Sequence, residues 1–170
     1  MSAMPNSTDG LHGKIGQGAD PSQAVMRLFL NHLMSLDALC QDLERIADGL
    51  PASIDVQTSL VIAGNIVPII NSAHRFEEDH IYPIFLNAAR NGATMKIEID
   101  RLISEHWIDA DLGEEISLAL KDYVSSQNPV KAETLSWMLR GFFESMRRHI
   151  AFEHVVILPV VRKKLGPKNA

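Results

Sequence analysis

The sequence predicts an all-α fold, an antiparallel up-down-up-down four-helix bundle, on three observations. Apolar residues recur every three to four positions along four long stretches. Breakers at Gly49-Leu50-Pro51, Asn91-Gly92 and Ser125–Asn128 separate those stretches by short connections, which favours antiparallel neighbours. An H-x-x-x-E unit followed by proline occurs once in each half of the chain, a weak internal symmetry, and no alternating strand pattern competes.

Each element has a local cause. Residues 1–19 are Gly-rich and polar and read as a tail without fixed structure. Asp20-Pro21 opens the first helix: the Asp carboxylate can cap free amides, and proline suits the first helical position. Its stripe runs through Val25, Leu28, Phe29, Leu36, Leu39, Leu43 and Ile46 until Gly49 and Pro51 stop it. A second helix extends from about Ser53 to Ala89, bent at Pro68 and Pro83. Thr94 is placed to cap a third, carrying Ile97, Leu102, Ile103, Ile116, Leu120 and Val124, with Gly113 a weak point in it. Asn128-Pro129 repeats the cap-plus-proline signal before the fourth helix, which runs to about Lys164 through Leu135, Leu139, Phe142, Phe143, Met146 and Ile150. The folded domain is thus residues 20–165.

Composition narrows the class. A chain of 170 residues buries one substantial core, and 46% hydrophobic with 22% charged residues is ordinary for a globular protein. A net charge of −5 offers no basic patch for nucleic acid or an anionic membrane. A lone cysteine, Cys40, excludes an intramolecular disulfide and fits a reducing compartment. No cationic start precedes an apolar stretch at the N-terminus. Val56–Ala73 lacks charge, but Gln57, Thr58, Asn65, Pro68, Asn71 and Ser72 mark it as a core helix rather than a membrane span. A cytoplasmic protein is the expectation.

The chemistry lies in the doubled motif. His74 and Glu78 stand four residues apart, as do His149 and Glu153, and four residues is about one helical turn, so each pair shares a helix face. His32 and His106 lie on the stripes of the first and third helices. At ~1.5 Å rise per residue, His32, His106 and His149 all stand ~18 Å from their helix ends, with Glu78 at ~20 Å, His74 at ~25 Å and Glu153 at ~12 Å. All six candidate ligands therefore fall near one layer. Imidazole with carboxylate is borderline-to-hard ligation suited to iron, manganese or zinc and poor for copper(I). Four His and two Glu exceed the needs of one catalytic zinc and suit two iron ions with open positions.

One His on each outer helix, H-x-x-x-E-E-x-x-x-Y-P and H-x-x-x-E with a following L-P together resemble the hemerythrin-like (HHE cation-binding) domain family, over about residues 20–164. The resemblance implies a non-haem di-iron centre with oxo and carboxylate bridges. His32, His74, His106 and His149 would be terminal ligands and Glu78 and Glu153 bridges, with Zn or Mn as other occupants. It implies binding or sensing of O2, NO, peroxide or iron, in a metal-binding or sensor protein rather than a dedicated enzyme. The sequence departs from the family's oxygen carriers: Ala110 stands four beyond His106, and His154 stands five beyond His149, where those proteins carry His and Asp. The pattern is closer to the iron-sensing and redox or nitric-oxide-responsive members. Two other readings are an iron-dependent enzyme of iron–sulfur cluster repair and a metal-poor helical interaction module.

The remaining polar and aromatic residues are assigned supporting places. His80 and His154 turn away from the ligand faces, and His12 lies in the tail. Glu77, three residues from His74, reads as a supporting or exposed acid. Asp109 and Asp111 follow His106 and would ligate only through helix distortion. Tyr82, Trp107 and Phe152 read as core or pocket walls, Tyr82 with a hydroxyl near the ligand layer, and the methionines as packing. Pro83 leaves the Asp79 carbonyl without its helical partner, which predicts a bend just beyond Glu78.

Overall fold

A computed structural model describes residues 20–125 and 131–166. The tail expected at 1–19 and the cap expected at Asn128-Pro129 lie outside the described residues. Among the described residues every regular element is helical. Six α-helical segments form four rods. The first rod is α1 (Pro21–Gly49); the second is α2 (Val56–Phe76), a π-helical turn at Glu77–Ile81 and α3 (Tyr82–Ala88). The third is α4 (Gly92–Ser125); the fourth is α5 (Ala132–Phe152), a π turn at Glu153–Ile157 and α6 (Leu158–Leu165).

The helix starts follow capping chemistry. Asp20 accepts a hydrogen bond from the Ser22 amide at 3.0 Å, with Pro21 next in line. Asp55 caps α2 through the Thr58 amide at 3.0 Å, so that helix begins at Val56 rather than near Ser53. The third helix starts at Gly92, two residues before the cap expected at Thr94.

α2 packs chiefly on α4 and α1 chiefly on α5, while contacts of α1 with α2 and of α4 with α5 close the ring. Phe29, Leu33, Leu36 and Leu43 of α1 bury with Ile66 and Ile70 of α2, Leu102 and Leu120 of α4, and Leu139 and Met146 of α5. By length and composition Val56–Ala88 passes for a membrane span, yet its Ser59, Ile62, Ala63, Ile66, Ile70 and Ala73 all lie in this core. At Gly113 α4 packs tightly on α2: a Cβ there would sit 2.8 Å from Ile70 Cδ1 and 3.3 Å from Ile66 Cγ2. The glycine read as a weak point is a close approach instead. One turn on, Ser117 donates to the Ala63 carbonyl at 2.6 Å. Arg140–Asp48 and Arg147–Glu44 tie α5 to α1 at 2.5 and 2.6 Å on the surface, where such pairs contribute little.

The two π turns share one cause. Pro83 and Pro159 have no amide hydrogen, so the α ladder loses a rung just before each of them. There the backbone adopts the wider turn: the Tyr82 amide donates to the Glu77 carbonyl and the Leu158 amide to the Glu153 carbonyl, five residues back. Instead of a simple bend beyond Glu78, each proline is preceded by an expanded turn, and each turn begins with a glutamate.

Candidate metal centre

Both glutamates face the bundle interior. Glu77 and Glu153 are fully buried, and His74 (α2), His106 (α4) and His149 (α5) are each 4% exposed. Ligand atoms of His74, Glu77, His106 and His149 lie within 4.8 Å of one another. Glu153 Oε2 joins them 3.8 Å from His149 Nε2. The His74 and His106 rings stack at 3.8 Å between centroids. Glu77 Oε2 lies 3.4 Å from His106 Nε2 and 3.8 Å from His149 Nε2. The same Nε2 edge of both rings thus faces the carboxylates.

The outward nitrogens face other acids. His106 Nδ1 is 2.7 Å from Glu78 Oε1, and His149 Nδ1 is 3.7 Å from Glu105 Oε2. His106, with a carboxylate on its outer nitrogen and its inner nitrogen turned to the cluster, has the usual posture of a metal-ligating histidine; Glu105 lies too far from His149 Nδ1 to hold it by a hydrogen bond. Tyr82, buried at the head of α3, donates to Glu153 Oε1 at 3.2 Å and lies 3.1 Å from His106 Nε2.

Among the described residues six buried side-chain atoms have no hydrogen-bond partner: His74 Nε2, both oxygens of Glu77, both nitrogens of His149 and Glu153 Oε2. Burying such groups unpaired costs several kcal/mol each in an apolar setting, roughly 2–7 by transfer measurements, and folded proteins rarely tolerate it. Six on four neighbouring residues mark a site whose donors find no partner within the protein. A cation in the cluster would satisfy every one of them except His149 Nδ1, which faces outward.

The electrostatics agree. Burial, with the His106 charge beside it, pushes His74 down to about 3, so it is neutral near neutral pH and ready to donate a lone pair. His106 is also penalised by burial, but Glu77 and Glu78 outweigh that and raise it. Burial would lift Glu77, yet His106 and His149 hold it down at about 2. Glu153 is raised well above the carboxylate range by burial and by the Glu77 charge. Two buried carboxylates this close share a proton unless a cation neutralises them.

Of the residues expected to ligate, the structure brings together His74, His106, His149 and Glu153. It does not bring Glu78 or His32 into the group. Glu78 stays about one-third exposed on the outer side of His106, and Glu77 takes the inner position. Three residues from His74 share its helix face as well as four do, and Glu77, not Glu78, opens the π turn. A signal for this was present: Glu77 and Glu153 each stand six residues before a proline, Pro83 and Pro159, whereas their distances from histidine differ. His32 sits against the Phe76 ring at 5.0 Å, with His80 on Phe76 at 4.9 Å, outside the cluster. The buried phase of α1 runs through Phe29, Leu33, Leu36 and Cys40, leaving His32 on the flank.

Asp109, one turn beyond His106, is buried and raised by that burial, while Asp111 is exposed. His80 and His154 are exposed. Trp107, read as core or pocket wall, is 73% exposed. A cavity of about 330 Å³ opens between α4 and α5, with Glu105, Asp109, Arg148, Phe152 and His149 in its wall, and so reaches the outer side of His149.

A buried set of three imidazoles and two carboxylates inside a helical bundle defines a cation-binding protein of the His/carboxylate class. The chain belongs to the hemerythrin family: the model of the hemerythrin HHE cation binding domain matches residues 34–161. That span covers all five clustered residues and begins beyond His32. No curated protein and no solved structure matches the chain significantly.

Proposed function

We propose that this protein binds a pair of iron ions among His74, Glu77, His106, His149 and Glu153, and uses them to bind or sense O2, NO or peroxide. The observation that carries the reading is the buried cluster of four donors within 4.8 Å of one another, together with Glu153, in which His74 Nε2, both oxygens of Glu77, His149 Nε2 and Glu153 Oε2 have no hydrogen-bond partner. The donor set fits: neutral imidazole and carboxylate suit iron, and two buried acids offset the charge of more than one cation. Glu77 and Glu153, central in the cluster, are the carboxylates placed to span two ions. Iron would supply an open coordination position and exchangeable electrons.

The chain's own residues do the rest. Glu78 orients the His106 ring so that Nε2 faces inward, and Glu105 stands on the outer side of His149 at 3.7 Å. Ile81, Phe85 and Ile157, fully or almost fully buried near the π turns, keep bulk water from that side. The cavity between α4 and α5 gives a small ligand its way to His149. We take the four rods to alternate in direction. In support, Ser117 meets Ala63 while His106 meets His74, the numbers falling on one rod as they rise on the other.

The deciding experiment is elemental analysis after anaerobic loading with iron(II). Roughly two irons per chain is the expected result. A second reading has a specific support: four donors within 4.8 Å of one another also suit one tetrahedral ion. A single zinc at saturation would replace the di-iron reading with that one, and absence of any metal would overturn both.

A further inference from the structure

We infer that Tyr82 is a further ligand of this metal centre, coordinating through its phenol oxygen; the inference rests on the metal reading above. Its oxygen lies 3.1 Å from His106 Nε2 and 3.2 Å from Glu153 Oε1. Both partners face the ions in that reading. His106 Nε2 is the nitrogen turned to Glu77, since Nδ1 is taken by Glu78. When Nε2 and the Glu153 carboxylate turn to metal, the phenol loses both of its hydrogen-bond partners. At 2% exposure, Tyr82 has no solvent to replace them, and an unpaired buried hydroxyl is costly. Coordination satisfies it.

Two further observations point the same way. The cluster contains three imidazoles and two carboxylates, and α1 contributes none of them, because His32 stands at Phe76. Two ions of the usual six-coordinate preference are therefore short of protein donors, and Tyr82 supplies one oxygen at the level where it is needed. Its position is also fixed, since its amide donates to the carbonyl of Glu77, itself a proposed ligand. The corresponding residue after the second π turn is Leu158, whose amide bonds Glu153 in the same way but whose side chain cannot ligate. One backbone device thus presents a phenol in one half and an aliphatic chain in the other, which makes the two ion positions unequal.

The step balances without any redox change. The phenol O–H bond breaks and an oxygen–metal bond forms. The phenol proton leaves to solvent, as does the proton that Glu153 gives up when it takes up metal.

The test loads wild type and Tyr82→Phe with iron and oxidises them to the ferric state. Iron content, far-UV circular dichroism, visible absorption and resonance Raman spectra are then compared. Wild type should show a visible phenolate-to-iron charge-transfer band with enhanced phenolate ring modes. Tyr82→Phe should keep its helicity and most of its iron and lose both signals. Ferric wild type without phenolate modes overturns the inference, as does a band that persists in Tyr82→Phe. If the variant does not fold, the wild-type Raman spectrum decides alone. Failure of wild type to bind iron is a separate outcome, which overturns the metal reading and this inference together.

Discussion

The segment from His74 to Pro83 and the segment from His149 to Pro159 are two versions of one device. In each, a buried histidine ends an α-helix, a buried glutamate opens a π turn, and a proline follows six residues after the glutamate. The versions differ in the count from histidine to glutamate, three in the first and four in the second. They differ again after the turn, where Tyr82 stands in one and Leu158 in the other. Outer support is unequal too: Glu78 holds His106 at 2.7 Å, while Glu105 is 3.7 Å from His149. The shared part is the proline six residues after the glutamate, whose missing amide removes an α rung there, although Pro68 within α2 shows that a proline alone does not force the wider turn. The inward glutamate keeps the same distance to the proline in both halves and not to the histidine.

The largest expected effect separates adjacent residues. Glu77→Ala and Glu153→Ala should each abolish stoichiometric iron binding, because each removes an inward carboxylate. Glu78→Ala should still load with metal. Iron content measured on the three purified variants checks this, and a Glu78→Ala protein without iron beside an iron-replete Glu77→Ala would reverse the assignment.

A smaller effect tests the unequal support. Replacing a carboxylate that orients a ligating imidazole costs roughly 10–100-fold in metal affinity. Glu78→Gln should fall in that range, and Glu105→Gln, acting from a longer distance, should cost less. Chelator competition titrations rank them; equal losses would erase the difference between the halves.

The pH dependence follows from the same groups. His74, held down at about 3, carries no proton near neutrality and adds nothing to the slope. His106 is raised by Glu77 and Glu78 against its burial, and Glu153 is raised by burial and by Glu77. Each must lose a proton to ligate, so apparent affinity falls as pH drops through their raised values, by up to about tenfold per unit for each proton released. Affinity measured from pH 8 to pH 5 should decline steadily. A flat profile would mean that the buried carboxylates hold no shared proton.

Much of this was legible in the sequence. Helix periodicity and the Asp20-Pro21 signal placed the first rod at its observed start, and breakers placed the others within a few residues. The height argument put His74, His106, His149 and Glu153 near one level, but it also included His32 of the first helix, which lies outside the cluster. Height carries no rotation, however. His32 was three residues from Phe29 and four from Leu36, so it looked aligned with the stripe, but the buried phase passes through Leu33 beside it, and Leu28 from the predicted stripe is 46% exposed. The four-residue spacing of His149 and Glu153 favours Glu78 over Glu77 only if the helix is an unbroken α-helix. A π turn changes the phase within a single turn, and only its proline is visible in the sequence. Gly113 shows the same limit: helix propensity marks it as a weakness, and packing against Ile66 and Ile70 makes it a requirement.

The smallest effect tests whether the prolines create the shared device. Pro83→Ala and Pro159→Ala each restore an amide hydrogen and allow the helix to close into α geometry. Both prolines sit in the first turn of the helix that follows, where a missing amide is well tolerated, so stability should change by no more than about 1 kcal/mol. Metal affinity should respond more than stability, by a few-fold, because closing the turn rotates the glutamate that opens it. The two halves should also respond differently. Closing the first turn swings Glu78 toward the face that Glu77 leaves, so a second carboxylate is at hand. Closing the second offers only His154 in that place. Pro159→Ala should therefore lose more affinity than Pro83→Ala, read by chelator competition alongside thermal melts of both variants. Equal affinities for both variants and wild type would show that packing, rather than proline, holds the π turns open.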